Sequence, residues 1–129
     1  MSRVARWLLP VLLLSCALAL AADEPEGEVH VMLVFTQTTS PQMLNRIRAD
    51  IGTTEPTEEV WSRGAVASKK LKVESYTVSA TKAEVCAFEN CYPCPNQTRT
   101  VRVEADQRLD VIFRWKARYD RVEKKWNCM

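Results

Sequence analysis

Cys91-Tyr92-Pro93-Cys94 is the stretch whose residue types and spacing could do the most chemistry. Two thiols three positions apart can cycle between dithiol and disulfide when one is held as a thiolate, usually at a helix N-terminus within a βαβ unit. They can also supply half of a tetrahedral zinc site when a second ligand pair stands at suitable spacing. Here the motif lies in a proline-containing segment ahead of a strand-like run. Only Cys86, Cys128 and the single histidine, His30, could complete a metal site. Structural disulfides are therefore expected, with no metal ligand and no cofactor. A thiol-disulfide oxidoreductase acting through the C-x-x-C is the alternative to be tested.

His30 has no nucleophile or carboxylate in a recognisable local motif, as general base catalysis would need. There is no G-x-S-x-G, no H-E-x-x-H and no phosphate-binding glycine loop, and three glycines leave little room for one. No catalytic residue is assigned, and an enzyme is not expected. Asn96-Gln97-Thr98 is an N-x-Thr sequon in a polar segment, so Asn96 is the candidate glycosylation site. Arg114, Lys116 and Arg118 alternate along one strand face and are the candidate polyanion-binding residues, for a sulfated glycan or an acidic partner. Asp110, Asp120 and Glu123 interrupt that stripe, and a solvated strand face is the favoured explanation.

The element that must carry the stripe spans residues 109–119. Its odd positions are Leu109, Val111, Phe113, Trp115, Ala117 and Tyr119. Successive side chains of a strand point to opposite faces, so this period of two puts six apolar residues on one face. Trp115 and Tyr119 then read as core, not as a platform for stacking bases.

Residues 28–35 form a second strand, apolar on both alternating sets and suited to the middle of a sheet. Ser40-Pro41 opens an expected amphipathic helix over residues 41–51, with Met43, Leu44, Ile47 and Ile51 as its stripe and Gly52 as its stop. Thr57 caps a short helical turn through Trp61. Residues 70–80 read as one strand bent near Glu74-Ser75, where the apolar phase shifts. Residues 83–88 extend it or form a short strand of their own, and residues 89–96 form an irregular loop. Residues 98–105 pair with the 109–119 strand through the three-residue loop Asp106-Gln107-Arg108, setting Val103 against Val111.

The expected class is α+β: an antiparallel sheet of four or five strands with one amphipathic helix packed on its apolar face. The strand, helix and strand order, with cysteines in the C-terminal half, is similar in outline to the cystatin family. The chain lacks that family's Gln-x-Val-x-Gly hairpin and its later Pro-Trp pair.

Residues 1–21 read as a secretory signal peptide, with Arg3 and Arg6, an apolar run from residue 7 to 20, and Ala19-Leu20-Ala21 at the cleavage site. Residues 22–129 then form a single small domain, secreted to the extracellular space and without a membrane span. Losing Arg3 and Arg6 cancels the formal net charge of +2, which removes any global argument for nucleic acid. Of five cysteines, Cys86, Cys91, Cys94 and Cys128 remain, an even set that suits two disulfides. Three pairings exist, and each joins Cys128 to one of the clustered three. Cys86–Cys94 or Cys86–Cys91 is the favoured local bond. The resulting expectation is a non-enzymatic domain that binds another extracellular protein. A peptidase inhibitor acting through the loop at residues 89–96 is a further alternative.

Overall fold

The structure, a computed structural model, describes residues 24–38, 40 and 42–129. The signal peptide expected over residues 1–21 lies outside them. Among the described residues nine strands follow one another: β1 (Glu26–Gln37), β2 (Arg46–Glu55), β3 (Glu59–Gly64), β4 (Val66–Lys72), β5 (Ser75–Ala87), β6 (Asn90–Pro93), β7 (Gln97–Arg102), β8 (Arg108–Asp120) and β9 (Lys125–Cys128). Sheet A runs β4-β1-β8-β9. Sheet B runs β3-β2-β5, with β6 and β7 sharing the far edge of β5.

The two sheets bury their apolar faces against each other, the usual solution for strands that alternate apolar and polar. Sheet A contributes Val29, Val31 and Leu33 from β1, and Val111, Phe113, Trp115 and Ala117 from β8. Sheet B contributes Ile47, Ala49 and Ile51 from β2, and Val78, Ala80, Ala83 and Val85 from β5. The face expected for residues 109–119 is the one observed: Val111, Phe113, Trp115 and Ala117 are buried, while Asp110, Arg114, Lys116 and Arg118 are exposed. β1 lies mid-sheet, between β4 and β8.

The α+β class is overturned: the described residues contain no helix, and no amphipathic helix lies on a sheet. Residues 46–51 of the expected helix belong to β2. Ile47 and Ile51 are four apart, a spacing that puts two residues on one side of a helix or of a strand alike. Ala49, buried between them, completes a period of two, whereas Met43 of the supposed stripe is exposed. Gly52 is no helix stop. It sits within β2, where a Cβ would collide with the Glu59 carbonyl of β3. The short turn expected from Thr57 to Trp61 is replaced by the β2–β3 connection and β3 itself. Without a helix, the outline likeness to cystatins is lost.

Three further expectations change. Residues 70–80 are two strands in different sheets, so the phase shift near Glu74-Ser75 marks the crossing from β4 to β5 and not a bulge. A register shift lies further on, where Lys82 adopts φ 51° and the buried set of β5 passes from even to odd positions. Residues 90–93 are not irregular but pair with β5 as β6. Finally, β7 does not form a hairpin with β8. β7 pairs with β5, β8 pairs in parallel with β1, and Val111 lies beside Val31 instead of Val103. β7 instead reaches β8 from the other sheet, through the Arg99 guanidinium over the Phe113 ring at 5.6 Å and the Gln97 side chain on the Arg114 carbonyl. The connection between β7 and β8 turns at Asp106 with φ 57° and is held by the Asp106 amide donating to the Glu26 carbonyl.

Candidate functional site

Two cysteine pairs stand at bonding distance. Cys86 and Cys91 are directly opposed on β5 and β6, one residue pair from the turn, and cross-link the hairpin near its tip. Cys94, just past β6 in sheet B, joins Cys128 on β9 in sheet A, so this bond crosses between the sheets. Such pairs fit an oxidising compartment. Each cysteine of the C-x-x-C is bonded to a partner outside the motif, so the two sulfurs do not form the paired dithiol that the redox reading requires. Glu84, Cys86 and Cys91 are the one metal-like cluster among the described residues, and two of its ligands are spent on the disulfide.

The pinned hairpin carries an unusual tip. Phe88 has φ 54° and is 83% exposed, and Met43, from the β1–β2 connection, is 67% exposed. The two line one shallow cleft with Gln42, Ala87, Glu89 and Asn90. A large apolar ring held outward on a cross-linked turn needs a reason, because it gains nothing from burial within the chain. The sequence reading passed over Phe88. Its only signal was an aromatic between Ala87 and Glu89 at a strand end, which core packing would equally explain.

Asn96 is exposed at the junction between β6 and β7. Its Oδ1 accepts the Lys82 amide at 3.0 Å, and the Cys94 amide donates to the Ala83 carbonyl at 2.7 Å. These bonds satisfy the backbone where β5 changes phase, and they leave the Asn96 amide nitrogen free of that contact. The same segment ties the sheets together: the Trp115 indole donates to the Pro95 carbonyl at 2.8 Å, and the Gln97 amide to the Arg114 carbonyl at 2.7 Å.

The outer face of sheet A gathers residues from three strands. Ser68, His30 and Asp110 stand side by side across β4, β1 and β8, an order that was not legible without the strand register. Ser68 Oγ and His30 Nδ1 share a hydrogen bond of 2.7 Å. The Asp110 carboxylate is instead engaged by Arg108 at 3.0 Å, and no hydrogen bond joins it to His30. A nucleophilic triad needs the carboxylate on the imidazole and amides aimed at a developing oxyanion. Here the neighbouring amides belong to the ladders joining β1 to its two neighbours. The row is a polar surface ladder.

Charges on this face are sorted by strand end. At the start of β1 and β8, Lys72 pairs with Glu24 at 2.8 Å, which raises the Lys72 pKa through that hydrogen bond. Arg108 pairs with Asp110, and Lys70 stands opposite Glu28. At the other end, Arg114 and Lys116 adjoin Val34 and Thr36 on β1, and Arg118 adjoins Asn127 on β9. Among the described residues, no ion pair reaches Arg114, Lys116 or Arg118. The structure thus brings the three cations into one exposed row, with Cys128 on the neighbouring β9 and the Gln97 side chain on the Arg114 carbonyl. Compared with family models, curated proteins and solved structures, the chain matches none.

Proposed function

We propose that this chain is a secreted, disulfide-stapled β-sandwich that acts by binding another extracellular protein, not by catalysis, with Phe88 as its anchor. The observation that carries the reading is the 83% exposure of Phe88 on a turn closed by Cys86–Cys91. Exposed aromatics on rigid turns bury large area on association while losing little conformational freedom, which is why aromatic anchors dominate binding energy. Met43 beside it widens the apolar contact. The reading includes a glycan on Asn96, at the junction between the sheets and away from the tip.

A peptidase is one kind of partner within this class. The segment free for a cleft is then the tip around Phe88, since residues 90–93 are committed to β6. A photo-crosslinking residue at position 88 of the secreted protein tests the reading. The expected result is one saturable adduct with an extracellular protein. Unlabelled wild-type chain should compete for it, and Phe88→Ser should compete at least about tenfold more weakly with unchanged thermal stability. Equal competition by Phe88→Ser would remove the anchor from the proposal. The mass lost on glycosidase treatment of the same preparation reads the occupancy of Asn96.

A further inference from the structure

The geometry points to a second, separate binding surface: Arg114, Lys116 and Arg118 form a docking row for a sulfated glycan chain on the outer face of sheet A. This row and the Phe88 tip lie on different sheets, so each can fail without the other.

Read along the sequence, the row is diluted by Asp110, Asp120 and Glu123. In the fold each of these acids is engaged elsewhere. Asp110 holds Arg108. Asp120 accepts the amides of Val122 and Glu123 and so shapes the β8–β9 turn. Glu123 pairs with Lys125 at 2.7 Å. Across the strands, Val34, Thr36 and Asn127 offer no charge to the row. Asp120 keeps its charge next to Arg118, but among the described residues none of the three cations is held in an ion pair, so the row stays net positive on a chain whose overall charge is nearly balanced. The same sheet pairs its cations at its other end, so the imbalance is local.

The strand sets the pitch of the row. Alternate residues lie about 6.7 Å apart, so the three cations span about 13 Å in a line. The backbone under the row is already committed. β8 is bonded to β1 through position 117, the Lys116 amide and carbonyl exchange hydrogen bonds with Met129, and the Arg114 carbonyl accepts from Gln97. An acidic peptide could not add itself as a strand here, and recognition must come through side chains. A linear chain bearing closely spaced sulfates supplies charge without needing backbone partners. Guanidinium groups at two of the three positions match its oxyanions with paired donors. A shallow trough between Val34 and Met129 beside the row can take the face of a sugar ring.

The test is binding of a heparin-derived hexasaccharide to the full secreted protein at about 0.15 M salt, followed by calorimetry and by amide shift mapping. The expected result is salt-sensitive binding, with shifts confined to the row, Val34, Thr36 and Asn127. The triple variant Arg114→Ser, Lys116→Ser, Arg118→Ser should bind at least about tenfold more weakly, with a shallower dependence on salt. The control Lys70→Ser, Lys72→Ser, Arg108→Ser removes equal charge from the paired end and should bind as the wild type does. Shift mapping on the unmodified protein keeps the test decisive if a variant fails to fold. No binding by the wild type, equal loss in both variants, or tighter binding of a poly-glutamate peptide of matched charge would each overturn the proposal.

Discussion

Tyr76 shows how a single polar atom is settled in this core. The side chain is 8% exposed, and its hydroxyl donates to the Lys72 carbonyl at 2.9 Å, across the turn that carries the chain from sheet A to sheet B. Burial raises its pKa above the ordinary tyrosine value, and the nearby Glu74 carboxylate adds to the rise. A folded-state pKa above the unfolded one favours the neutral phenol on folding. That contribution is complete below about pH 10 and is lost as the pH rises through the folded value. Wild-type stability should therefore decline in the alkaline range. Tyr76→Phe should lose about 1 kcal/mol at neutral pH, from the missing hydrogen bond, and then decline less steeply than the wild type above about pH 10. Urea unfolding at a series of pH values checks this, and parallel slopes would show that Tyr76 is not the titrating group. Trp61 and Trp126 contrast with Tyr76: their indole nitrogens are buried without a hydrogen-bond partner in the described residues. At this scale the sequence was informative about type and silent about partner. It marked Asn96 and the stripe from Arg114 to Arg118 as polar and outward, but the acids that serve or ignore them depend on contacts between strands.

Among the elements, β2 is where the local reading failed and where backbone approach matters most. Gly52 faces the Glu59 backbone at the point where the β2–β3 register shifts, and an added Cβ would overlap that carbonyl. Gly64, at the end of β3, has only the Ser62 hydroxyl at 3.8 Å from the same construction. Gly52→Ala should destabilise by roughly 1–3 kcal/mol, because the strand must move apart from its neighbour. Gly64→Ala should be neutral or slightly stabilising, since it only narrows the unfolded ensemble. Chemical denaturation of the two variants side by side decides the matter, and similar midpoints would mean that the β2–β3 edge yields easily. Local sequence makes the same glycine a helix stop, because nothing within a few residues records that β3 lies against it. The strands at residues 28–35 and 109–119 were legible because their alternation was long and their aromatic and β-branched content high. Residues 41–51 were not, because a spacing of four suits either period and only Ala49 broke the tie.

For the whole molecule, the two disulfides have unequal work. Cys94–Cys128 joins residues 34 apart and links one sheet to the other, whereas Cys86–Cys91 spans 5 residues within one hairpin. Loop-closure entropy alone assigns roughly 4 kcal/mol to the first and roughly 2 kcal/mol to the second. Replacing Cys94 and Cys128 by serine should therefore lower the melting temperature more than replacing Cys86 and Cys91. The second pair's loss should fall mainly on binding through Phe88, by freeing the turn that presents it. Calorimetry and the crosslinking competition, run on both double variants, separate these effects, and an equal drop in melting temperature would remove the inter-sheet staple as the dominant one. The sequence by itself determined the alternating face of β8, the outward placement of Arg114, Lys116 and Arg118, and an even set of cysteines in the segment after residue 22. These follow from chemistry within a few residues, where side-chain direction and residue type suffice. Only the tertiary structure decided that the architecture is two sheets and not a helix on one. It also decided that β1 and β8 run in parallel some eighty positions apart, that β7 and β8 belong to different sheets, and which cysteine meets which. Those outcomes are set by which apolar faces bury each other best over the whole chain, a competition among distant segments that no local spacing records.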